Sequence, residues 1–153
     1  MKKIAFIVWN YTVTGGIERV LTNLANELCD YYSVHIISLT KSEDRVPYKI
    51  DERVNRVYFA TDEPMRGREV IKKGGKGVRR YIKDNEIDTV LLMGFQSSMP
   101  AIAMLKFRSR TRLIFCEHEA LMSRWHEKKI TLVRFISALL SKKTVTLTKA
   151  TAE

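Results

Sequence analysis

Short apolar segments alternate with segments of helical pattern along the chain, and this alternation restricts the fold more than any other feature of the sequence. Nearly continuous apolar strands are expected where both faces of a parallel sheet are covered. Strands that alternate with helices favour the same arrangement. The predicted strands cover residues 3–9, 33–40, 55–60, 88–94, 112–117 and 143–148. The order of elements therefore predicts an α/β fold with a mostly parallel sheet.

Helical spacing of apolar residues marks most of the connecting segments. The first helix is predicted at residues 17–29. Further helices are predicted at 68–85, 99–107 and 123–140, the last as one helix or two. Three glycines between residues 74 and 77 each weaken the second helix by about 1 kcal/mol relative to alanine, so a break is allowed there. In the first helix, the stripe predicted to face the sheet consists of Ile17, Val20, Leu21, Leu24, Ala25 and Leu28.

The length of 153 residues suits one domain with a single core. We predict that residues 1–153 form this domain without a linker or an internal repeat. No run of about 18 apolar residues is present, so no membrane span is predicted. Cys29 and Cys116 lie in different predicted elements and lack the spacing of metal ligands. Two reduced packing thiols in a cytoplasmic protein are the simpler interpretation, and no metal site is predicted.

A net charge of +10 predicts attraction to a partner rich in phosphate, such as nucleic acid, an anionic membrane or a phosphorylated ligand. Residues 66–83 contain eight basic residues and one acidic residue. Tyr81 is the one aromatic residue among them, so base stacking is poorly supported. An anionic membrane surface is favoured over a solvated helix face. The candidate membrane-facing residues are Arg66, Arg68, Lys72, Lys73, Lys76, Arg79, Arg80 and Lys83.

Two adjacent glycines, Gly15 and Gly16, stand between the first predicted strand and its helix. In parallel α/β sheets, ligands bind outside the carboxyl ends of the strands, which is where this loop lies. Bare backbone at a helix N-terminus lets amide groups approach a negatively charged ligand. The pair would serve equally well as a tight turn that needs positive φ, and Thr14 could cap the helix. The dinucleotide fingerprint and the P-loop pattern are both absent.

Polar residues also follow the fourth and fifth predicted strands. His118 could donate to a sugar hydroxyl or carbonyl, or act as a base, or it could satisfy local hydrogen bonds alone. Glu117 and Glu119 flank it, but such positions often diverge at a strand exit, so we do not predict that they pair. Gln96, Ser97 and Ser98 could bind hydroxyl groups of a polar ligand, although Ser97 or Ser98, before a predicted helix, also suits an N-cap.

Several of these segments together resemble a known family. The strand "KIAFIV" followed by "TGGIERVLTNLANEL" resembles the start of retaining family-4 glycosyltransferases, which have the two-domain GT-B architecture. The segment "IFCEHEAL" resembles the strand that delivers a histidine to the cleft, and "TVTLTKATAE" resembles the last strand before the N-terminal domain finishes. The resemblance covers the whole chain in order and implies a Rossmann-like three-layer sandwich that forms the N-terminal, acceptor-side half of a GT-B enzyme.

The resemblance implies transfer of a hexose-type residue from a nucleotide sugar to an acceptor, with retention of configuration. Amides near Gly15 and Gly16 would contact the donor diphosphate, and His118 would contact the donor sugar or the reaction centre. The expected acceptor is a lipid-linked or cell-surface polysaccharide precursor. The nucleotide sugar is a substrate, and no cofactor or metal ion is expected. From loop position alone, the candidate acceptor contacts are Gln96, Ser97, Glu117 and Glu119.

Nothing in the sequence resembles the second domain of these enzymes, which holds most of the nucleotide-sugar site. We therefore expect that the nucleotide-sugar-binding domain is absent from this chain and that the 153 residues alone have little transfer activity. The complete enzyme is expected in the cytoplasm, on the inner face of the cell membrane. Two other classes stay open, a non-catalytic α/β binding module and a basic nucleic-acid-binding protein, although no nucleic-acid motif is present.

Overall fold

The structure is a computed structural model that describes residues 1–60, 66–106, 110–119 and 126–146. Strands and helices alternate along these residues. The strands are β1 (Lys3–Asn10), β2 (Ser33–Thr40), β3 (Asn55–Tyr58), β4 (Thr89–Met93), β5 (Arg112–Glu117) and β6 (Lys143–Thr146). The helices are α1 (Gly16–Leu28), α2 (Gly67–Asp84), α3 (Phe95–Leu105) and α4 (Lys128–Leu140). Residues 123–125 of the last predicted helix and 147–148 of the last predicted strand lie outside the described residues.

The six described strands form one parallel sheet in the order β3-β2-β1-β4-β5-β6. Ile7 at the centre of β1 pairs with Ile37 of β2 on one side and Leu92 of β4 on the other. The chain builds the sheet outward from β1 in one direction and then returns to build it outward from β4. Such a reversal of strand order leaves a crevice outside the carboxyl ends of the two central strands, where ligands bind in this class of fold.

Helices cover both faces of the sheet, which explains why the strands are apolar on both sides. Alternate residues of β1 enter two separate cores, with Phe6 packed among residues of α1 and Ile7 packed among residues of α2 and α3. The predicted α/β fold, a Rossmann-like three-layer sandwich, is confirmed. Cys29 and Cys116 are both buried and free, and burial raises the pKa of the Cys116 thiol to about 11.

The first helix buries part of the predicted stripe, including Leu21 and Ala25, but not all of it. Leu24 is 39% exposed, whereas the buried positions of α1 are Glu18, Leu21, Thr22 and Ala25. Burial of Thr22 is possible because its hydroxyl donates to the Glu18 carbonyl oxygen at 2.7 Å and lies 2.8 Å from the Tyr11 hydroxyl. A polar residue with satisfied hydrogen bonds thus replaces a leucine against the sheet.

The second helix runs without a break through its glycines, so the interruption that the sequence allowed does not form. A Cβ atom on Gly77 would lie 2.6 Å from Cδ1 of Phe59, and one on Gly74 would lie 3.3 Å from Cβ of Phe59. Because glycine has no side chain, α2 can pack closely against Phe59, the residue directly after β3. Among the described residues, no helix is both long and apolar enough to cross a bilayer.

The third helix begins four residues earlier than predicted. Gly94, with φ of +78° and ψ of 164°, is its N-cap and turns the chain directly from β4 into α3. Only glycine adopts this conformation readily. Ser97 and Ser98 consequently lie inside the helix, so the prediction that one of them caps it is wrong.

Candidate functional site

A small cavity of about 100 Å³ lies at the carboxyl ends of β1, β4 and β5, in the crevice where the strand order reverses. Of the segments at the carboxyl edge of the sheet, those that follow β1, β4 and β5 meet here, and the loop after β2 does not line this cavity. Each contributes backbone or side chains to the wall. The lining residues are Val8, Trp9, Ile17, Glu18, Met93, Gly94, Phe95, Gln96, Glu117, His118 and Glu119.

The two glycines that precede α1 have separate structural roles. Gly15 is the N-cap of α1 with φ of −160° and ψ of 175°, an extended conformation open to any residue. Of the described glycines, Gly94 alone has positive φ, so the interpretation of the pair as a turn that needs positive φ is wrong. A Cβ atom on Gly15 would lie 2.4 Å from Oε2 of Glu18. Gly15 therefore makes room for the Glu18 carboxylate.

Gly16 faces open space instead. A Cβ atom placed on it would meet nothing within 4 Å in the structure. The first amide groups of a helix have no acceptor within that helix, and the N-cap of α1 makes no side-chain hydrogen bond, so the predicted Thr14 cap is wrong. The backbone around Gly16 is thus accessible, and the positive end of the helix dipole favours a negatively charged ligand.

A buried carboxyl group lies beside this backbone. Glu18, in the first turn of α1, is 8% exposed and lines the small cavity. Burial raises the pKa of Glu18. Its carboxyl group can accept hydrogen bonds from hydroxyl groups of a ligand and, when protonated, can donate one.

His118 lines the same cavity directly after β5. Its Nε2 atom is buried and has no hydrogen-bond partner among the described residues. Burial lowers the pKa of His118, so the imidazole is neutral at pH 7. A neutral ring with an unused nitrogen in a cavity can exchange a hydrogen bond with a ligand. By contrast, Nδ1 of His35 in β2 lies 2.9 Å from the Tyr81 hydroxyl of α2, so that ring joins two elements of the domain.

The residue that the sequence reasoning missed is Arg134 of α4. Its Nε lies 2.9 Å from Glu117 Oε2, and its Nη2 donates to Glu119 Oε2 at 2.8 Å. The two glutamates therefore converge on one guanidinium, contrary to the expectation that they diverge. A signal was present in the sequence, because Arg134 falls at helical spacing between Ile130 and Ser137 and so interrupts the stripe that faces the sheet.

The two candidate acceptor contacts on α3 differ in position. Gln96 is exposed and lines the cavity. Ser97 is fully buried, and its hydroxyl donates to the Met93 carbonyl oxygen at 2.7 Å. The structure therefore brings Gln96 to the site and does not bring Ser97 there.

A second cavity of about 460 Å³ adjoins the first and shares Trp9, Phe95 and Gln96 with it. Its other walls come from the start of α2, from α3 and from α4, where Lys129 is the charged residue. The lining is mainly apolar and includes the aromatic rings of Trp9 and Phe95. This cavity can take a ligand that has an apolar part and a few polar groups.

The eight basic candidate residues lie along α2, with seven exposed and Arg79 half-buried. Lys72, Lys76 and Arg80 recur at intervals of four residues on the side opposite the buried stripe. Within the described parts of the chain, no group of three or more histidine, cysteine, aspartate or glutamate residues is arranged to hold a metal ion.

Sequence comparison places residues 14–153 within a family model described as Glycosyltransferase Family 4. A relative from Haemophilus influenzae, described as an uncharacterized glycosyltransferase, is 28% identical to this chain over 152 residues. The alignment covers 98% of this chain and 42% of the relative. The chain thus spans less than half the length of the curated relative that it matches.

Two solved structures share the fold. A lipopolysaccharide outer core galactosyltransferase, WaaB, in its apo form, superimposes with a TM-score of 0.67 at 16% identity, over 97% of this chain and 40% of that one. The Anabaena protein HepE, solved in complex with UDP and glucose, gives a TM-score of 0.67 at 15% identity, over 99% of this chain and 39% of that one. Identities this low show a common fold and nothing more specific.

Proposed function

The chain belongs to glycosyltransferase family 4, with residues 14–153 matching the family, and we propose that the protein transfers a hexose-type residue from a nucleotide sugar with retention of configuration. Its Rossmann-like fold agrees with the N-terminal domain of a GT-B glycosyltransferase. The observation that carries the proposal is the unpartnered Nε2 of His118 in a cavity wall that also contains Ile17 and Glu18, the residues directly after the open backbone at Gly16. A neutral imidazole and the amides of a helix start at one crevice suit the two ends of a sugar diphosphate.

The proposed donor site has two kinds of contact, one to the charged diphosphate and one to a hydroxyl of the sugar. When the bond between the anomeric carbon and the diphosphate breaks, negative charge develops on the leaving phosphate. Amides at the start of α1 are fixed in place and stabilise that charge without reorganising. His118, neutral at pH 7, forms a hydrogen bond to a hydroxyl of the donor sugar. The diphosphate is met by amides in this scheme, so we expect the transfer to need no cofactor.

The acceptor is proposed to enter through the larger adjoining cavity. Gln96 borders both cavities, and Glu119 has a side chain that is 39% exposed at the edge of the small one. Both can accept hydrogen bonds from a hydroxyl group. Ser97 is left out of this set because its hydroxyl is occupied by the Met93 carbonyl oxygen. The apolar walls around Trp9 and Phe95 favour an acceptor with an apolar part, such as a lipid-linked polysaccharide precursor.

Binding of UDP to the natural full-length protein tests the donor site. HepE was solved with UDP and glucose, so UDP, uridine, UDP-glucose and UDP-galactose are the first probes. Isothermal titration is expected to give UDP an affinity at least about tenfold higher than that of uridine, because charge-assisted hydrogen bonds to the phosphates contribute more than about 1.4 kcal/mol. Equal affinities for UDP and uridine, or no binding of either, would contradict a diphosphate contact.

Attachment to an anionic membrane is a separate proposal that rests on the exposed basic face of α2. The full-length protein is expected to sediment with phosphatidylglycerol vesicles and not with phosphatidylcholine vesicles. Changing Lys72, Lys76 and Arg80 to glutamine should weaken this binding by more than 100-fold, because each basic residue near such a surface contributes about 1 kcal/mol.

A matched control removes the same charge elsewhere, by changing the exposed Lys2, Lys49 and Lys142 to glutamine. This control is expected to bind anionic vesicles far better than the α2 variant does. Equal and negligible binding of the wild type to both kinds of vesicle would end the membrane proposal. Salt-dependent binding to arbitrary nucleic acid in its place would support the basic nucleic-acid-binding alternative.

A further inference from the structure

We propose that Arg134 is a positioning residue that fixes His118 in the crevice by holding the carboxylates on both sides of it. The inference rests on the proposed role of His118 and adds a residue from a different helix to that site. Nε of Arg134 lies 2.9 Å from Glu117 Oε2, and Nη2 donates to Glu119 Oε2 at 2.8 Å. One guanidinium therefore joins the residue before His118 to the residue after it.

A hydrogen bond within residues 117–119 also holds the backbone of this segment. The amide of Glu119 donates to Glu117 Oε1 at 3.1 Å. Glu117 thus uses one carboxylate oxygen on the backbone and the other on Arg134. His118 lies between these two anchored residues and lines the cavity together with them and with Glu18 of α1. Anchoring both neighbours is therefore expected to restrict the position of His118 in the cavity.

The position of Arg134 is itself fixed by its surroundings. Arg134 and Glu117 each have side chains that are 4% exposed. The guanidinium carbon lies 5.5 Å from the centre of the Phe95 ring, and one turn further along α4 the Ser137 hydroxyl lies 2.7 Å from that of Ser98 on α3. A buried guanidinium that is planar and forked can hold two carboxylates at once, which the single ammonium group of lysine cannot do in the same geometry.

The charged groups around His118 make its pKa a measure of the contact between Arg134 and the two glutamates. Glu117 and Glu119 flank it in sequence and are both paired with Arg134 of α4, and Glu18 of α1 lines the same cavity. The α3 residues that line the cavity are uncharged. Loss of the Arg134 charge leaves the carboxylates uncompensated, and nearby negative charge favours the protonated imidazole.

Two variants separate charge from geometry in the full-length protein. Arg134→Lys keeps the positive charge but loses the fork, and Arg134→Met loses both at similar length. Both are expected to lower kcat by about 100-fold, which is the typical cost of misplacing a reacting group by about 1 Å. The donor KM should stay within about twofold of the wild-type value, because α1 holds the diphosphate. The imidazole titration of His118, followed by NMR, should move to higher pH in Arg134→Met and stay near wild type in Arg134→Lys.

Arg112→Met is the matched control, because Arg112 is exposed at the opposite end of β5. It should leave kcat and the titration of His118 unchanged. Circular dichroism establishes that each variant is folded, and Arg134→Lys decides the outcome if Arg134→Met does not fold. Wild-type kcat in folded Arg134→Lys overturns the proposal. If the wild type shows no sugar transfer while the His118 titration still moves in Arg134→Met, the proposed function fails and the coupling between Arg134 and His118 stands.

Discussion

Replacing Gly16 with valine is expected to lower the rate of sugar transfer by about 100-fold, the typical cost of removing one fixed amide donor from a developing negative charge. The free energy of unfolding should stay within about 1 kcal/mol of the wild-type value. These two expectations separate a ligand contact from a structural turn. The rate is measured as UDP release from the donor in the full-length protein, and stability is measured by urea denaturation.

Transfer and stability should respond differently because the space around Gly16 is open in the folded domain. A Cβ atom at Gly16 would have no neighbour within 4 Å, so the isopropyl group of valine fits the folded domain without strain. It would occupy the region through which a phosphate reaches the amides of the first turn. UDP should therefore bind more weakly to Gly16→Val, while uridine, which lacks the phosphates, should bind the variant and the wild type alike.

Asn23→Val is the control for this substitution, because Asn23 is exposed on the same helix. It introduces the same β-branched side chain into α1 away from the crevice and should leave transfer unchanged. Wild-type turnover and wild-type UDP affinity in Gly16→Val would remove the phosphate contact from the proposed function. A loss of stability as large as the loss of activity would return Gly16 to a structural role.

The sheet could be predicted from the sequence because the information for it is local. Each strand is a short apolar run, and β5 was predicted with the bounds that the structure has, Arg112–Glu117. The meeting of the loops at the carboxyl edge followed from strand order alone. The start of a helix could be predicted less accurately than a strand where the backbone conformation of one residue determines it. Gly94 begins α3 through a positive φ, and a sequence does not display φ.

The composition of the site could be predicted less well, because its contacts join distant parts of the chain. Arg134 binds Glu119 across 15 positions of sequence, and no local pattern of residues indicates such a pair. The separate roles of Gly15 and Gly16 depend on where the Glu18 carboxylate lies. The sequence shows that Glu18 follows the glycine pair closely, but it does not show that its carboxylate is buried there against Gly15.

Replacing His118 with alanine is expected to lower kcat/KM for sugar transfer by about 100-fold or more, within the range measured for positioned acid–base and hydrogen-bonding groups. Stability should change little by comparison. The buried Nε2 of His118 has no partner among the described residues, and a buried polar atom without a partner costs free energy in the folded protein. Removal of the ring therefore loses some packing but also removes that cost.

The dependence of transfer on pH provides a second measurement on the same residue. Burial lowers the pKa of His118 below its ordinary value of 6.5, so the neutral imidazole predominates at pH 7. As the pH falls through the lowered pKa, the ring becomes protonated and can no longer accept a hydrogen bond at Nε2. The rate in the wild type should fall over that range, and this acidic limb should be absent from the profile of His118→Ala.

His118→Gln then distinguishes a hydrogen bond from proton transfer. The glutamine amide can form a hydrogen bond to a sugar hydroxyl, but it does not take up a proton near neutral pH. If His118 positions the donor sugar, His118→Gln should recover part of the rate lost in His118→Ala and show no acidic limb. If His118 acts as a base, glutamine should be as slow as alanine. Wild-type rates in both variants would leave His118 with a local structural role and remove it from the proposed mechanism.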